Sequence, residues 1–214
     1  MRVIKASAAL ETPIDGPKVL QTIERIGRVC YKSEDRITED SAVKFCRNII
    51  GRGHESMIEH QSASFRVVCD RGVSHELVRH RLASYAQESS RYCNYSQSKF
   101  GSEITVIKPC FLEEGTKGYA IWYNTCKVAE GAYFDLLDWG CSPEEARDAL
   151  PTSLKTEIVM TANFREWRHF VKLRTSRAAH PQMREVARLI FNELYAAVPV
   201  LFEDIKTDIA QQAE

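Results

Sequence analysis

The hydrophobic positions of this chain change period several times, and each change predicts an element. After Pro17, the residues Val19, Leu20, Ile23, Ile26, Val29 and Cys30 recur at helical spacing and predict a first amphipathic helix. A second helix is expected from about Thr38, with Glu39 and Asp40 in its first turn beside the positive helix end, to Gly51 and Gly53. In SASFRVVCD, residues 62–70, Ala63, Phe65, Val67 and Cys69 alternate with Ser64, Arg66 and Val68, the period of a half-buried strand. Ser74 is placed as the cap of a helix running through Leu77 into the basic residues that follow it. ITVIKP, residues 104–109, predicts a short strand closed by Pro109.

The second half is mostly helical in pattern. Tyr119, Trp122, Tyr123, Cys126, Tyr133, Leu136 and Leu137 predict a long amphipathic helix after Thr116, ended by Gly140. Ser142, Pro143 and Glu145 form a capping box with proline at the first helical position, so a short helix should carry Arg147 towards Pro151. LKTEIVMTA reads as a third strand. Asn163 and Glu166 repeat the capping-box logic ahead of a helix with Phe164, Trp167, Phe170 and Val171 inward. A last helix uses Met183, Val186, Leu189, Ile190 and Leu194 and stops at Pro199, followed by a polar tail. With no repeat and no dividing linker, the expected architecture is α+β: a single domain over residues 1–214, helices packed on a mainly antiparallel sheet.

Composition narrows the class of protein. The 44% hydrophobic content can fill a core, and 29 Lys+Arg balance 29 Asp+Glu, which excludes a disordered chain or one that coats nucleic acid by bulk charge. No apolar run approaches the roughly 20 residues of a membrane helix, and MRVIKASAALETP lacks the apolar core of a secretory signal. A cytoplasmic address with no membrane partner is expected. Cys30, Cys46, Cys69, Cys93, Cys110, Cys126 and Cys141 are odd in number and form no C-x-x-C pair, so they read as reduced, mostly buried thiols.

Positive charge is concentrated in RHRLASYAQESSRY, residues 79–92. On a helix, Arg79, His80 and Arg81 would be about 100° apart and would serve different neighbours. They could be solvated surface cations. They could instead meet two anionic groups such as phosphates, each arginine giving paired planar hydrogen bonds, with Ser89, Ser90 and Arg91 as further donors. Spacing leaves both open. Tyr85, Tyr92 and Tyr95 interleave with the arginines as base-stacking platforms would, although neutral overall charge opposes a nucleic-acid surface. No metal site is expected, because His54 and His60 with Glu55 and Glu59 match no closed ligand pattern. The absence of a G-x-S-x-G elbow disfavours a serine hydrolase. Neither G-x-G-x-x-G nor a Walker sequence is present, so a nucleotide would be held by arginines rather than by a glycine turn.

Arg79, His80 and Arg81, followed after seven residues by Ser89 and then by Arg91 and Tyr92, resemble the R-H-R-x7-S signature of flavin-dependent thymidylate synthases, the ThyX family. GHESMIEH at 53–60, RGVSHELVRHR at 71–81, EEARDALP, TANFREWRHFVKLR at 161–174 and the segment from His180 to Gln182 resemble family blocks in family order. The resemblance implies reductive methylation of dUMP to dTMP, with methylenetetrahydrofolate as carbon donor, and FAD, reduced by NADPH, as hydride donor. It also implies a homotetramer whose active sites are shared between subunits. By position it makes Arg174 the catalytic cation and Ser89 its companion. Flavin contacts are expected from Ser56, Arg79, His80, Arg81, Gln87, Asn163, Phe164, Arg165 and His169. Contacts to dUMP are expected from Glu76, Leu77, Val78, Arg79, Gln87, Glu88, Ser89, Ser90, Arg91, Arg147 and Arg174. Gln87, Glu76 and His169 depart from the glutamate, glutamine and asparagine of some members. Cys93 is not expected to act as a nucleophile.

Overall fold

The computed structural model describes residues 1–97 and 101–211. Its strands are β1 (Arg2–Ile4), β2 (Ser7–Leu10), β3 (Ser62–Asp70), β4 (Ala83–Gln87), β5 (Thr105–Ile107) and β6 (Lys155–Asn163). The helices are α1 (Gly16–Val29), α2 (Ser41–Gly51), α3 (Arg71–Leu77), α4 (Lys117–Asp138), α5 (Pro143–Ala146), α6 (Phe164–Arg174), α7 (Pro181–Ala197) and α8 (Glu203–Gln211). The expected α+β class holds. A four-stranded, mainly antiparallel sheet has the order β2-β3-β6-β4, and β1 pairs in parallel with β5. Among the described residues no helix is long and apolar enough to cross a membrane.

Two compact units emerge, and neither is a contiguous stretch of sequence. The first comprises Met1–Ser7, Val67–Arg79 and Tyr85–Val159; the second comprises Ala8–Arg66, His80–Ser84 and Met160–Glu214. In the first, Tyr133 and Cys126 of α4 pack with Tyr95, Ile104, Val106 and Leu154. In the second, α1 lies against α2, and α6 buries Trp167 edge-on to Phe65, with the indole nitrogen donating to the Ala63 carbonyl at 3.0 Å. Full burial of such side chains contributes on the order of 1.5–3 kcal/mol each.

Alternation in β3 was fully legible: Ala63, Phe65, Val67 and Cys69 are all buried. Two strands then turn directly into helices by the same device. Asp70 at the end of β3 accepts from Val73 N–H at 2.9 Å and caps α3, and Asn163 at the end of β6 accepts from Glu166 N–H at 2.9 Å and caps α6. Extended backbone at each cap lets strand become helix without a loop.

Several expectations need correction. Asp70, not Ser74, caps α3; Ser74 is buried inside the helix and returns its hydroxyl to the Arg71 carbonyl at 2.9 Å. The helix ends at Leu77, so the basic triplet is not helical. α2 begins at Ser41 rather than Thr38, because Ser41 Oγ accepts from Thr38 N–H at 2.9 Å and donates to Glu24 at 2.7 Å, holding a turn. The tail is not merely polar, since α8 buries Ile205. Glu166 completes only half of a capping box, for its carboxylate is used elsewhere. None of the seven cysteines is in a disulfide, yet only Cys46, Cys69 and Cys126 are buried. Burial pushes the Cys46 and Cys69 thiols up to about 12, which leaves them unreactive.

Candidate active site

In the second unit, α6 builds one wall of a cavity of about 830 Å³, a size that suits a small-molecule or cofactor site. Asn163, Arg165, Glu166, Arg168, His169 and Lys172 line it from α6 and its cap, with Glu55, Glu59 and Leu82 opposite. Asn163, Arg165 and His169 were expected flavin contacts, and the structure brings them together. Arg165 is exposed and paired with Glu59, whereas Arg168 is 2% exposed and bidentate to Asp204 at 2.8 Å. Phe164, another expected contact, is fully buried beside Phe202, and Ser56 is exposed with its hydroxyl 3.6 Å from the Met57 sulfur.

His80 is the buried member of the basic triplet, 4% exposed between exposed Arg79 and Arg81. Its ring lies edge-on to Phe170 with centroids 4.9 Å apart, and the His169 ring is 5.7 Å away. His80 Nδ1 is 3.0 Å from Glu166 Oε1. Arg174, the last residue of α6, donates its Nε–H to His80 Nε2 at 3.0 Å. A guanidinium cannot accept, so Nε2 must carry a lone pair, and the single ring proton must be on Nδ1, given to Glu166. Burial, with Arg174 and His169 adding to it, holds His80 below the ordinary histidine range, although the Glu166 hydrogen bond works against this. Although Arg174 ends α6, its Nε–H is spent on a side chain rather than on the helix's last carbonyls.

Ligand atoms of His80, Glu166 and His169 all lie within 4.8 Å of one another, a grouping able to hold a divalent cation. Both His80 nitrogens already have protein partners, however, so a metal would have to displace Arg174 or Glu166.

In the first unit, the serine-rich stretch leaves β4 and turns at Ser89, whose carbonyl accepts from Tyr92 and Cys93 N–H, each at 3.1 Å. Arg147, delivered by the capped turn after α5, donates to the buried Ser90 hydroxyl at 3.3 Å. Arg91 pairs with Glu144 at 3.0 Å, both about half exposed. Such exposed pairs are worth roughly 0–1 kcal/mol, so an incoming anion could replace Glu144 readily. Gln87 is turned to Ser74 and Thr156 at 3.0 and 3.2 Å, and Glu88 binds Lys155 at 2.7 Å. Leu77 is buried and its carbonyl accepts from Tyr85 Oη at 2.7 Å; Val78 is exposed and Glu76 half-buried. Tyr95 is buried as well, which leaves Tyr92 as the one exposed ring of the three and dismantles the base-stacking platform.

Expected site residues thus fall into two sets, one in each unit. Glu76 to Arg79, Gln87 to Arg91 and Arg147 belong to the first; Ser56, His80, Arg81, Asn163 to Arg165, His169 and Arg174 belong to the second. Sequence reasoning missed Glu55, Lys172, Leu82 and above all Glu166, which it read only as a cap partner. Of these, Lys172 could have been found by its helical spacing from Arg165, His169 and Arg168. His54 and His60 are exposed, and His180 caps α7 by accepting from Gln182 N–H at 3.3 Å.

A fold of helices on an antiparallel sheet carries a cofactor-sized cleft in one unit and a serine–arginine cluster in the other, features suited to an enzyme that acts on small molecules. Residues 14–200 match the family model described as thymidylate synthase complementing protein. The flavin-dependent thymidylate synthase of Pyrococcus furiosus is 34% identical over 182 residues, covering 82% of this chain and 74% of its own length. That of Mycolicibacterium gilvum is 33% identical over 213 residues, covering 91% and 82%. Among solved structures, a UMP/dUMP methylase from Streptomyces cacaoi bound with 5-Br dUMP superposes with a TM-score of 0.78 at 25% identity, covering 97% of both chains. The chain belongs to the flavin-dependent thymidylate synthase family.

Proposed function

We propose that this protein converts dUMP to dTMP, with residues 1–214 acting as one catalytic domain of a homotetramer. Methylenetetrahydrofolate is the carbon donor, FAD the cofactor and NADPH the source of its electrons. The uracil C5–H bond is exchanged for C5–CH3: the methylene carbon bonds to C5 as its two bonds to the folate nitrogens break and tetrahydrofolate leaves, those nitrogens taking up protons; the C5 proton is lost, and one hydride completes the methyl group. Reduced flavin supplies that hydride.

The observation that carries this reading is the fixed guanidinium of Arg174. C5 attacks the carbon donor only as negative charge builds on N3 and the ring carbonyls, and a cation already oriented there lowers the barrier without reorganising. Arg174 has the required permanence, because its Nε–H is committed to a neutral buried His80 rather than to a carboxylate. Support for the phosphate comes from Arg147, Ser89, Ser90 and Arg91, the last of which pairs with the exchangeable Glu144. Ser89 orients dUMP and does not attack it.

FAD fits the residues of the α6 cleft. Arg165 and Lys172 are about half exposed, and their partners Glu59 and Asp204 are also open to solvent, so both cations are available to a diphosphate. Asn163 keeps its Nδ2 group for a polar ring edge while Oδ1 caps the helix. Arg79, Arg81 and His169 are the remaining proposed flavin contacts. Folate-dependent, NADPH-driven dTMP formation by the purified protein is the test. Arg174→Ala should keep its flavin and lose about 10²–10³ in turnover, the cost of removing one preorganised donor. A flavin-loaded wild type that makes no dTMP would refute the reading.

A further inference from the structure

Glu166 has no part in helix capping beyond its backbone N–H, since that N–H donates to Asn163 Oδ1 while the carboxylate turns the other way, to His80. It is a buried acid, 7% exposed, with its Oε1 on the His80 ring. Its one ring partner, His80, is in turn the acceptor for Arg174. From the two 3.0 Å contacts we infer that Glu166 is a positioning residue for Arg174, acting through the tautomer of His80. The inference rests on the role proposed for Arg174.

The logic is one of proton count. A neutral imidazole carries one N–H, and left to itself distributes it between two nitrogens. With the proton on Nε2, two N–H groups would face each other across the Arg174 contact, and the guanidinium would be turned away. A carboxylate can only accept, so Glu166 selects the Nδ1–H form and leaves Nε2 as a lone pair. Arg174 Nε–H is then fixed, and the plane of its two terminal nitrogens is fixed with it. Phe170 against the ring and His169 beside it stop the imidazole from rotating out of this arrangement. Glutamine at 166 would lose this selectivity, because its amide can turn a donor or an acceptor to Nδ1.

Two measurements test the chain of contacts. Magic-angle-spinning NMR of 15N-histidine-labelled protein, with His80 assigned by His80→Gln, reads the ring proton without substrate. The wild type should show Nδ1 protonated and Nε2 hydrogen-bonded; Arg174→Ala should shift Nε2 to the position of a free acceptor, and Glu166→Gln should give a mixture of tautomers. Turnover per bound flavin is the second readout. Glu166→Ala should lower it about tenfold to a hundredfold, the range for a misplaced catalytic group. The same substitution in Arg174→Ala should change it less than about twofold. Glu166→Gln, which preserves shape where the alanine variant fails to fold, should give a smaller loss in the same direction. An Nε2–H tautomer in the wild type, an equal loss in both backgrounds, or loss of flavin from the Glu166 variants would each overturn the inference. A wild type that shows the Nδ1–H form but makes no dTMP would refute the proposed function instead, and the two failures are therefore distinct.

Discussion

Arg168→Met is the sharpest test of how the second unit holds α6 in place. The guanidinium is 2% exposed and has four partners: both oxygens of Asp204 at 2.8 Å, Glu55 at 3.1 Å and the buried carbonyl of Leu201. Together these tie α6 to α8 and to the 3-10 turn at Glu55–His60. Methionine keeps most of the aliphatic packing and removes all the donors. Breaking a fully buried pair costs about 3–5 kcal/mol. Here Asp204 is 41% exposed and Glu55 24% exposed, so both carboxylates can be rehydrated, while the Leu201 carbonyl cannot and alone costs about 1–3 kcal/mol. The expected loss is therefore near the lower limit, about 3 kcal/mol. Urea unfolding followed by circular dichroism at fixed protein concentration should report it, and thermal unfolding should show it as a melting point lower by roughly 6–12 °C. A loss below about 1 kcal/mol would show that the network is no more than a surface ion pair and that the reasoning from burial is wrong.

Other expectations follow from the same geometry. Burial raises the Asp204 carboxyl, but the hydrogen bonds and charges of Arg168 and Lys172 outweigh it and bring the group down to about 2. A lowered acid pKa stabilises the fold above the unfolded value, so acid titration should remove this contribution between about pH 4 and pH 2, and Asp204→Asn should flatten that part of the stability profile. Gly16→Ala should destabilise, since a Cβ there would collide with the Ala197 carbonyl oxygen. Such overpacking costs about 1–3 kcal/mol by thermal melting, and an unchanged melting point would contradict the close approach of α1 and α7. Cys93→Ala should turn over normally; lost turnover with dUMP binding intact would mean that the thiol takes part in the chemistry.

Much of this molecule was determined by local pattern. The alternation of Ala63, Phe65, Val67 and Cys69, the capping box at Ser142 and Glu145, and the long stripe from Tyr119 to Leu137 each state a burial preference that a short window can hold, and each element formed where expected. The R-H-R-x7-S spacing likewise identified the family before any coordinates. What failed were choices between competing local partners. Asp70 and Ser74 are both capable caps, and only the direct exit from β3 selects Asp70. α8 has too few apolar positions to announce itself and depends on Arg168 for its anchorage. The roles within the basic triplet were beyond reach for the same reason. Neighbouring Arg79, His80 and Arg81 have alike polar side chains, but His80 alone is drawn inside, because Glu166 and Arg174, 86 and 94 residues away, supply an acceptor and a donor for its two nitrogens. Burial and proton placement are set by whichever groups the fold brings alongside, and no local spacing encodes them.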